Sequence, residues 1–276
     1  MKTNCIIHGD CLPIMQKMPA ESVDLFITSP PYANARKKTY GGHAPEDYGD
    51  WFMPRSEEMF RVLKPSGSFV LNIKECAVNG ERSTYVLGLI LGLRDQGWYW
   101  TEEYLWHKTC CAPGKWPNRF RDAWERCLHF TKGRDFTMNQ NAVRVYIAKS
   151  TKDRAKYTSG KDLDRTVAAT GSNFGTSRVR WANKDIVYPD NVLVGPTEFR
   201  NKGHPAVFPL WLPTWFIKLF SNSGDVVLDP FCGSSTSCVA AALLGRKYIG
   251  VDSNMEYVKL GRKRIKDAKI SKTISQ

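Results

Sequence analysis

Several things are missing from this chain of 276 residues. Eight cysteines are present, yet no two stand in CxxC spacing, so neither a zinc framework nor a dithiol redox motif is indicated. Reduced, mostly buried thiols are expected instead. No long apolar run exists: the longest, 86–93, contains two glycines and is too short to cross a bilayer. The first ten residues lack the apolar stretch and cleavage site of a signal peptide. A soluble, cytoplasmic protein with no membrane partner is the expectation. The G-x-G-x-x-G fingerprint of a pyrophosphate site is absent too, which weakens a nicotinamide-dependent oxidoreductase.

Positive charge is in excess, with 40 Lys and Arg against 27 Asp and Glu and a formal net charge of +13. That balance predicts attraction to a polyanion, with nucleic acid the default candidate. Seven of the cations crowd into 259–272, where they could be only the solvated face of a last helix. The excess in 132–202, 14 Lys and Arg against 7 Asp and Glu, is more telling.

The pattern along the chain alternates strands and helices. Strands are read at 4–8, 23–28, 68–73, 98–107, 123–131, 226–228 and 248–251. Helices are read at 11–18, 51–63, 82–96, 206–221 and 235–244, with a final helix at the end. Pro54 fits its helix only in the first turn, and 64–67 reads as a turn. From 132 to 195 the periodicity fades and small polar and charged residues dominate, as in an insertion folded apart from the sheet. The expected fold class is α/β, a mostly parallel sheet with helices on both faces.

Two short motifs carry the chemistry. Near the end, Asp229-Pro230-Phe231-Cys232-Gly233-Ser234-Ser235-Thr236 runs from a strand through a tight turn into a helix. In an open sheet, ligands bind beyond the carboxyl ends of the strands. Asp229 closes one strand and Asp252 the next, 23 residues later, where ribose hydroxyls would lie. Gly233 lets the backbone approach a ligand. Lacking a phosphate fingerprint, the turn suits a nucleoside cofactor without phosphates, such as S-adenosylmethionine.

Near the start, Thr28-Ser29-Pro30-Pro31-Tyr32 follows a buried strand. An exocyclic amine on a base is a poor nucleophile because its lone pair is delocalised into the ring. A site that accepts its two N–H hydrogens draws that pair out of conjugation, with no metal and no covalent intermediate. Ser29 Oγ and the Pro30 carbonyl are suited to that task, proline fixing where its carbonyl points. Tyr32 offers a π face for the base. A base inside a duplex must be flipped out to reach such a pocket.

Together these motifs resemble the amino-group (N4-cytosine/N6-adenine) site-specific DNA methyltransferases of the β-type permuted motif order. In that family Pro-Pro-Tyr comes first and the cofactor loop last. The likeness covers most of the chain and five motifs in order. Ile7-His8-Gly9-Asp10-Cys11 resembles the segment that contacts the cofactor's adenine, which implicates Asp10 and Cys11. Lys202-Gly203-His204-Pro205-Ala206-Val207-Phe208-Pro209 resembles the segment before the cofactor helix, implicating Lys202, His204 and Pro205. Asp229, Phe231, Gly233, Ser234, Ser235 and Thr236 form the cofactor loop; Asp252 and Ser253 follow the ribose-binding strand. Ser235 replaces the loop's usual second glycine, and Asp252 stands where Glu is commoner.

The resemblance implies a Rossmann-like, S-adenosylmethionine-dependent methyltransferase fold, circularly permuted. Its catalytic half would be 1–131, the target-recognition insertion 132–196 and the cofactor half 197–276. The implied activity is methylation of double-stranded DNA, with Ser29 favouring cytosine N4 and adenine N6 as the alternative. No Pro-Cys dipeptide occurs, which argues against cytosine C5 methylation. A protein-glutamine methyltransferase is the remote alternative, disfavoured by Ser29 where that family has Asn. A catalytically dead DNA-binding module is disfavoured by two intact motifs. Arg36, Lys37 and Lys38, then Lys115 and Arg119, then Arg178 and Arg180 are the candidate DNA contacts. Trp106, Lys108 and Glu125 flank the basic loop, either lining the base pocket or serving the core. His8, His107 and His129 read as structural. The family fits a restriction–modification system with a cognate endonuclease, and a monomer or homodimer. The recognition sequence is not legible.

Overall fold

The computed structural model describes residues 1–34, 42–111, 118–156, 184–198 and 209–274. In chain order, β1 (Cys5–His8), α1 (Cys11–Gln16), β2 (Val23–Thr28), α2 (Tyr48–Val62) and β3 (Leu63–Ile73) come first. A hairpin of β4 (Ala77–Val78) and β5 (Glu81–Arg82) follows, then α3 (Tyr85–Asp95), β6 (Tyr99–Lys108) and β7 (Trp124–Thr131). Next are β8 (Val145–Tyr146), α4 (Lys149–Lys156), β9 (Ile186–Val187) and β10 (Val192–Gly195). The chain closes with α5 (Trp211–Phe220), β11 (Val226–Asp229), α6 (Thr236–Leu243), β12 (Lys247–Asp252) and α7 (Met255–Ile274).

Eight strands form one sheet in the order β1-β12-β11-β2-β3-β7-β6-β10. All neighbours are parallel except at β7, which runs against both β3 and β6. The central strand β2 reads Val-Asp-Leu-Phe-Ile-Thr and is almost wholly buried, as a strand covered on both faces must be. This is the α/β methyltransferase fold expected, in permuted order: the Ser29 strand precedes the Asp229 strand in the chain and pairs beside it.

The chain divides into two compact units, Met1–Asn139 with Asn191–Gln276, and Gln140–Asp190. The second unit contains the pair β8–β9 and α4 among the described residues, with Lys152 bonded to Asp185 and the Arg144 guanidinium 5.1 Å from the Tyr188 ring centroid. One expectation needs correction. Segment 132–195 does not fold wholly apart from the sheet, because its last strand, β10, pairs in parallel with β6 as the sheet's edge. Val-Leu-Val-Gly is too short to show its partner in sequence.

Local departures have local causes. The helix expected at 51–63 starts at Tyr48, which places Pro54 inside it and removes the N–H that the Asp50 carbonyl would take. A proline inside a helix costs roughly 3 kcal/mol. Fully buried Tyr48 packs on Tyr85 at 4.8 Å, and Trp51 lies 5.5 Å from Phe231. Two such aromatic burials are worth about 1.5–3 kcal/mol each and offset the proline. The expected turn at 64–67 is a bulge within β3: Leu63 pairs with Val23, and pairing resumes at Ser68 with Leu25. A Cβ at Gly67 would lie 2.5 Å from Leu63 Cδ1 and 2.8 Å from the Asp24 carbonyl, so no side chain fits there. The helix expected from 82 starts at Tyr85, since Glu81–Arg82 pairs in the hairpin. Asn79 and Gly80, both at positive φ, form its turn. All eight cysteines are free, four buried and Cys110 exposed. No helix among the described residues is long and apolar enough to cross a membrane.

Candidate active site

Sheet order decides which residues meet. β1, β12, β11, β2 and β3 are parallel, so their carboxyl ends, at His8, Asp252, Asp229, Thr28 and Ile73, share one edge. Strand β7 runs the other way and brings its beginning, Trp124 and Glu125, to the same edge, beside His107 and Trp106 of β6. Lys108 ends β6 there.

The turn after β11 is built by its two aspartates. Asp229 is buried and accepts from Thr28 Oγ1 at 2.6 Å, from the Phe231 N–H at 3.1 Å and from Ser237 Oγ. Loss of water outweighs those three donors and lifts its carboxyl to about 6. Asp252 accepts the Gly233 N–H and the Asn254 N–H, each at 2.8 Å, which folds the turn onto the end of β12. Burial raises its carboxyl as well. Each Asp252 oxygen keeps a lone pair for a ribose hydroxyl.

Ser235 sits at φ 65 and ψ 37, the left-handed conformation that its glycine-like position demands. Its side chain turns toward α7: a Cβ on Gly261 would stand 2.2 Å from Ser235 Oγ. Arg264 of α7 donates to the Ser234 carbonyl and Oγ at 2.7 Å and to Thr236 Oγ1 at 3.0 Å. The hydroxyls of this loop therefore brace the loop, and its backbone is what remains for a ligand. Arg264 and Gly261 were invisible in the sequence, being two residues of an ordinary amphipathic helix.

Asp10 caps α1 by accepting the Leu12 N–H at 3.0 Å and pairs with Arg55 at 3.0 Å. Cys11 is buried in the core, and burial pushes its thiol up to about 12, so its side chain is packing. His8 Nε2 donates to the Ser253 carbonyl at 3.1 Å, which ties β1 to the residue after β12. Phe231 is half-buried between Trp51 and Phe52.

On the other side of the shared edge, Ser29 Oγ donates to Tyr32 Oη at 3.1 Å. Tyr32 Oη stands 3.1 Å from Asn72 Oδ1 and 3.0 Å from Glu125 Oε2. Lys108 Nζ bonds the second oxygen of Glu125 and lies 4.9 Å from the Trp106 ring centroid. Of the two readings open for the Trp106, Lys108 and Glu125 group, Glu125 and Lys108 line the site while buried Trp106 donates its ring N–H to the Gly195 carbonyl. Asn72 was missed. Its signal was a polar residue in an otherwise apolar strand end, where this fold keeps its ligands.

His129 is structural: its ring stacks 4.1 Å from Phe220, and burial alone drops it to about 3. Arg119 is half-buried on the approach to β7. Arg36, Lys37, Lys38, Lys115, Arg178, Arg180, Lys202, His204 and Pro205 lie outside the described residues.

The geometry is thus a cofactor-shaped turn joined by one hydrogen bond to a Ser-Pro-Pro-Tyr turn. Comparison with known proteins agrees with it: the DNA methylase family matches over residues 23–263. The chain belongs to the N6/N4 DNA methylase family. Type II methyltransferase M.PvuII of Proteus hauseri is 29% identical, covering 95% of this chain and 84% of its own. DNA adenine methyltransferase YhdJ of Escherichia coli K12 is 30% identical, covering 94% and 82%. The solved PvuII DNA methyltransferase, cytosine-N4-specific, superposes with a TM-score of 0.69 at 26% identity over 94% of this chain and 85% of that one. A DNA modification methylase of Thermus thermophilus, solved with S-adenosyl-L-methionine, shares the fold with a TM-score of 0.62 at 23% identity, covering 96% and 93%.

Proposed function

We propose that this DNA methylase transfers the methyl group of S-adenosylmethionine to the exocyclic N4 of cytosine in duplex DNA. Within a restriction–modification system it would mark sites against a cognate endonuclease. The observation that carries the choice of base is Ser29 and the direction of its hydrogen bond. Its proton is given to Tyr32, so the Oγ lone pairs remain to accept an amine hydrogen. With the Pro30 carbonyl as second acceptor, the amine lone pair turns toward the methyl carbon. Asp229, Gly233 and Asp252 frame the cofactor, and Thr28 fixes that frame against the catalytic turn. The sulfonium supplies the methyl group. The two 29–30% relatives act on different amines by name, so likeness supports amino methylation and the residue at position 29 supports cytosine.

Segment 132–196 serves as the target-recognition region in this reading. Its basic excess, Arg178 and Arg180 included, meets DNA, as do Arg36, Lys37, Lys38, Lys115 and Arg119. The fold of the second unit, distinct from α/β alternation, supports it.

Mass spectrometry of nucleosides from duplex DNA treated with protein and cofactor is the test. N4-methylcytosine is expected. N6-methyladenine as sole product would overturn the base assignment, and no methylated nucleoside would overturn the activity.

A further inference from the structure

Methylating an amine leaves a proton to be disposed of, and the site contains a directed path for one. Asn72 Nδ2 donates to the Arg126 carbonyl at 3.1 Å, which turns Asn72 Oδ1 toward Tyr32 as an acceptor. Glu125 Oε2 is also an acceptor. Tyr32 Oη therefore faces two acceptors and one donor, Ser29, and its single proton points away from Ser29. Burial holds the Tyr32 phenol well above its ordinary range, so it keeps that proton.

Glu125 is 8% exposed and Asn72 4%. The neighbouring Arg126 faces the other way, bonded to Glu75 and Glu103, so Lys108 is the cation at Glu125. A buried ion pair repays its loss of water poorly and is weak support for a fold. This pair is better explained by what its free oxygen touches.

We propose that Glu125 is the terminal proton acceptor of the reaction, reached through Ser29 and Tyr32, with Lys108 and Asn72 as positioning residues. The inference rests on the amino-methyltransferase reading. The amine lone pair attacks the sulfonium methyl carbon, and the carbon–sulfur bond breaks with its electron pair going to sulfur. The nitrogen becomes cationic and releases one proton to Ser29 Oγ. Ser29 passes its own proton to Tyr32 Oη, and Tyr32 passes its own to Glu125 Oε2. Sulfonium and carboxylate charges are both neutralised, leaving a thioether, a methylamino base and a carboxylic acid. Water takes the proton from Glu125 before the next turnover.

Single-turnover methylation of duplex DNA by the parent, Glu125→Gln, Tyr32→Phe and the double variant tests the path, with cofactor and DNA affinities measured beside it. Each single change is expected to slow transfer by about 100-fold or more. Both affinities should stay within about twofold, and the double variant should be no slower than the slower single, as for groups acting in series. Should Glu125→Gln fail to fold, Tyr32→Phe keeps the ring and decides alone. An active parent whose Tyr32→Phe variant keeps its rate, or losses that multiply in the double, overturns the path only. A parent that methylates no DNA overturns the activity itself.

Discussion

Thr28 Oγ1 and Asp229 Oδ1 lie 2.6 Å apart although 201 residues separate them in the chain. This bond joins the strand that presents Ser29 to the strand that opens the cofactor turn, so the two motifs are held in one geometry. Thr28→Val keeps the shape and deletes the donor. Leaving the Asp229 oxygen short of a partner should cost about 1–3 kcal/mol. Urea unfolding and cofactor titration check this, with weaker cofactor binding expected beside the lost stability.

Asp229 also gives a pH signature. Burial lifts its carboxyl from an ordinary 3.8 to about 6, so the folded state holds that proton more tightly than the unfolded one. Its effect is therefore destabilising above about 6 and disappears below the unfolded value. Asp229→Asn removes the titration, and Ser237 can rotate its hydroxyl to accept from the new amide. Urea unfolding from pH 4 to 7 should show the variant gaining on the parent as pH rises. A difference that stays flat would contradict the assignment.

The proposed division of labour predicts opposite kinetic signatures. Ser29→Ala removes an acceptor used only on the base and should slow single-turnover transfer with a barrier rise of about 2–4 kcal/mol. Cofactor affinity should be unchanged. Asp252→Ala frees the Gly233 N–H and removes the ribose acceptor, so calorimetry should find cofactor binding weakened about tenfold or more.

Ser235 and Gly261 form a matched pair. A methyl group at Gly261 would collide with Ser235 Oγ and Cβ, so Gly261→Ala should destabilise by about 1–3 kcal/mol. Adding Ser235→Gly removes both the collision and the left-handed serine at φ 65. Thermal unfolding of the double variant should recover most of the loss. If it does not, the packing of α7 on the loop is not what limits the site.

Basic residues of the 132–196 segment should register in salt dependence. Phosphate contacts release counterions, giving a log–log slope of about −0.9 per neutralised phosphate. Replacing Arg178 and Arg180 by Ala should flatten that slope if they bind backbone, or relax site choice if they read bases. Filter binding across salt concentrations measures it. Parent affinity, slope and preference in the variant would remove both residues from the interface.

Much of the scaffold is written locally. β2 is a run of apolar and β-branched residues ending at Pro-Pro, and β11 and β12 each end in an aspartate before a turn; such signals need only neighbours in the chain. The order of the two motifs set the permutation, and Gly233 with the serines after it marked the cofactor turn. Tertiary structure alone decided which polar groups meet. Tyr32 and Glu125 are 93 residues apart, and they touch because β7 runs against its neighbours and delivers its first residues to the edge where β2 ends. The joining of β10 to β6, the start of α2 ahead of Pro54 and the fit of Gly261 to Ser235 arise likewise from packing between distant segments. Hydrophobic period fixes each element by itself, whereas hydrogen bonds between strand ends depend on sheet order and direction, which no single segment encodes.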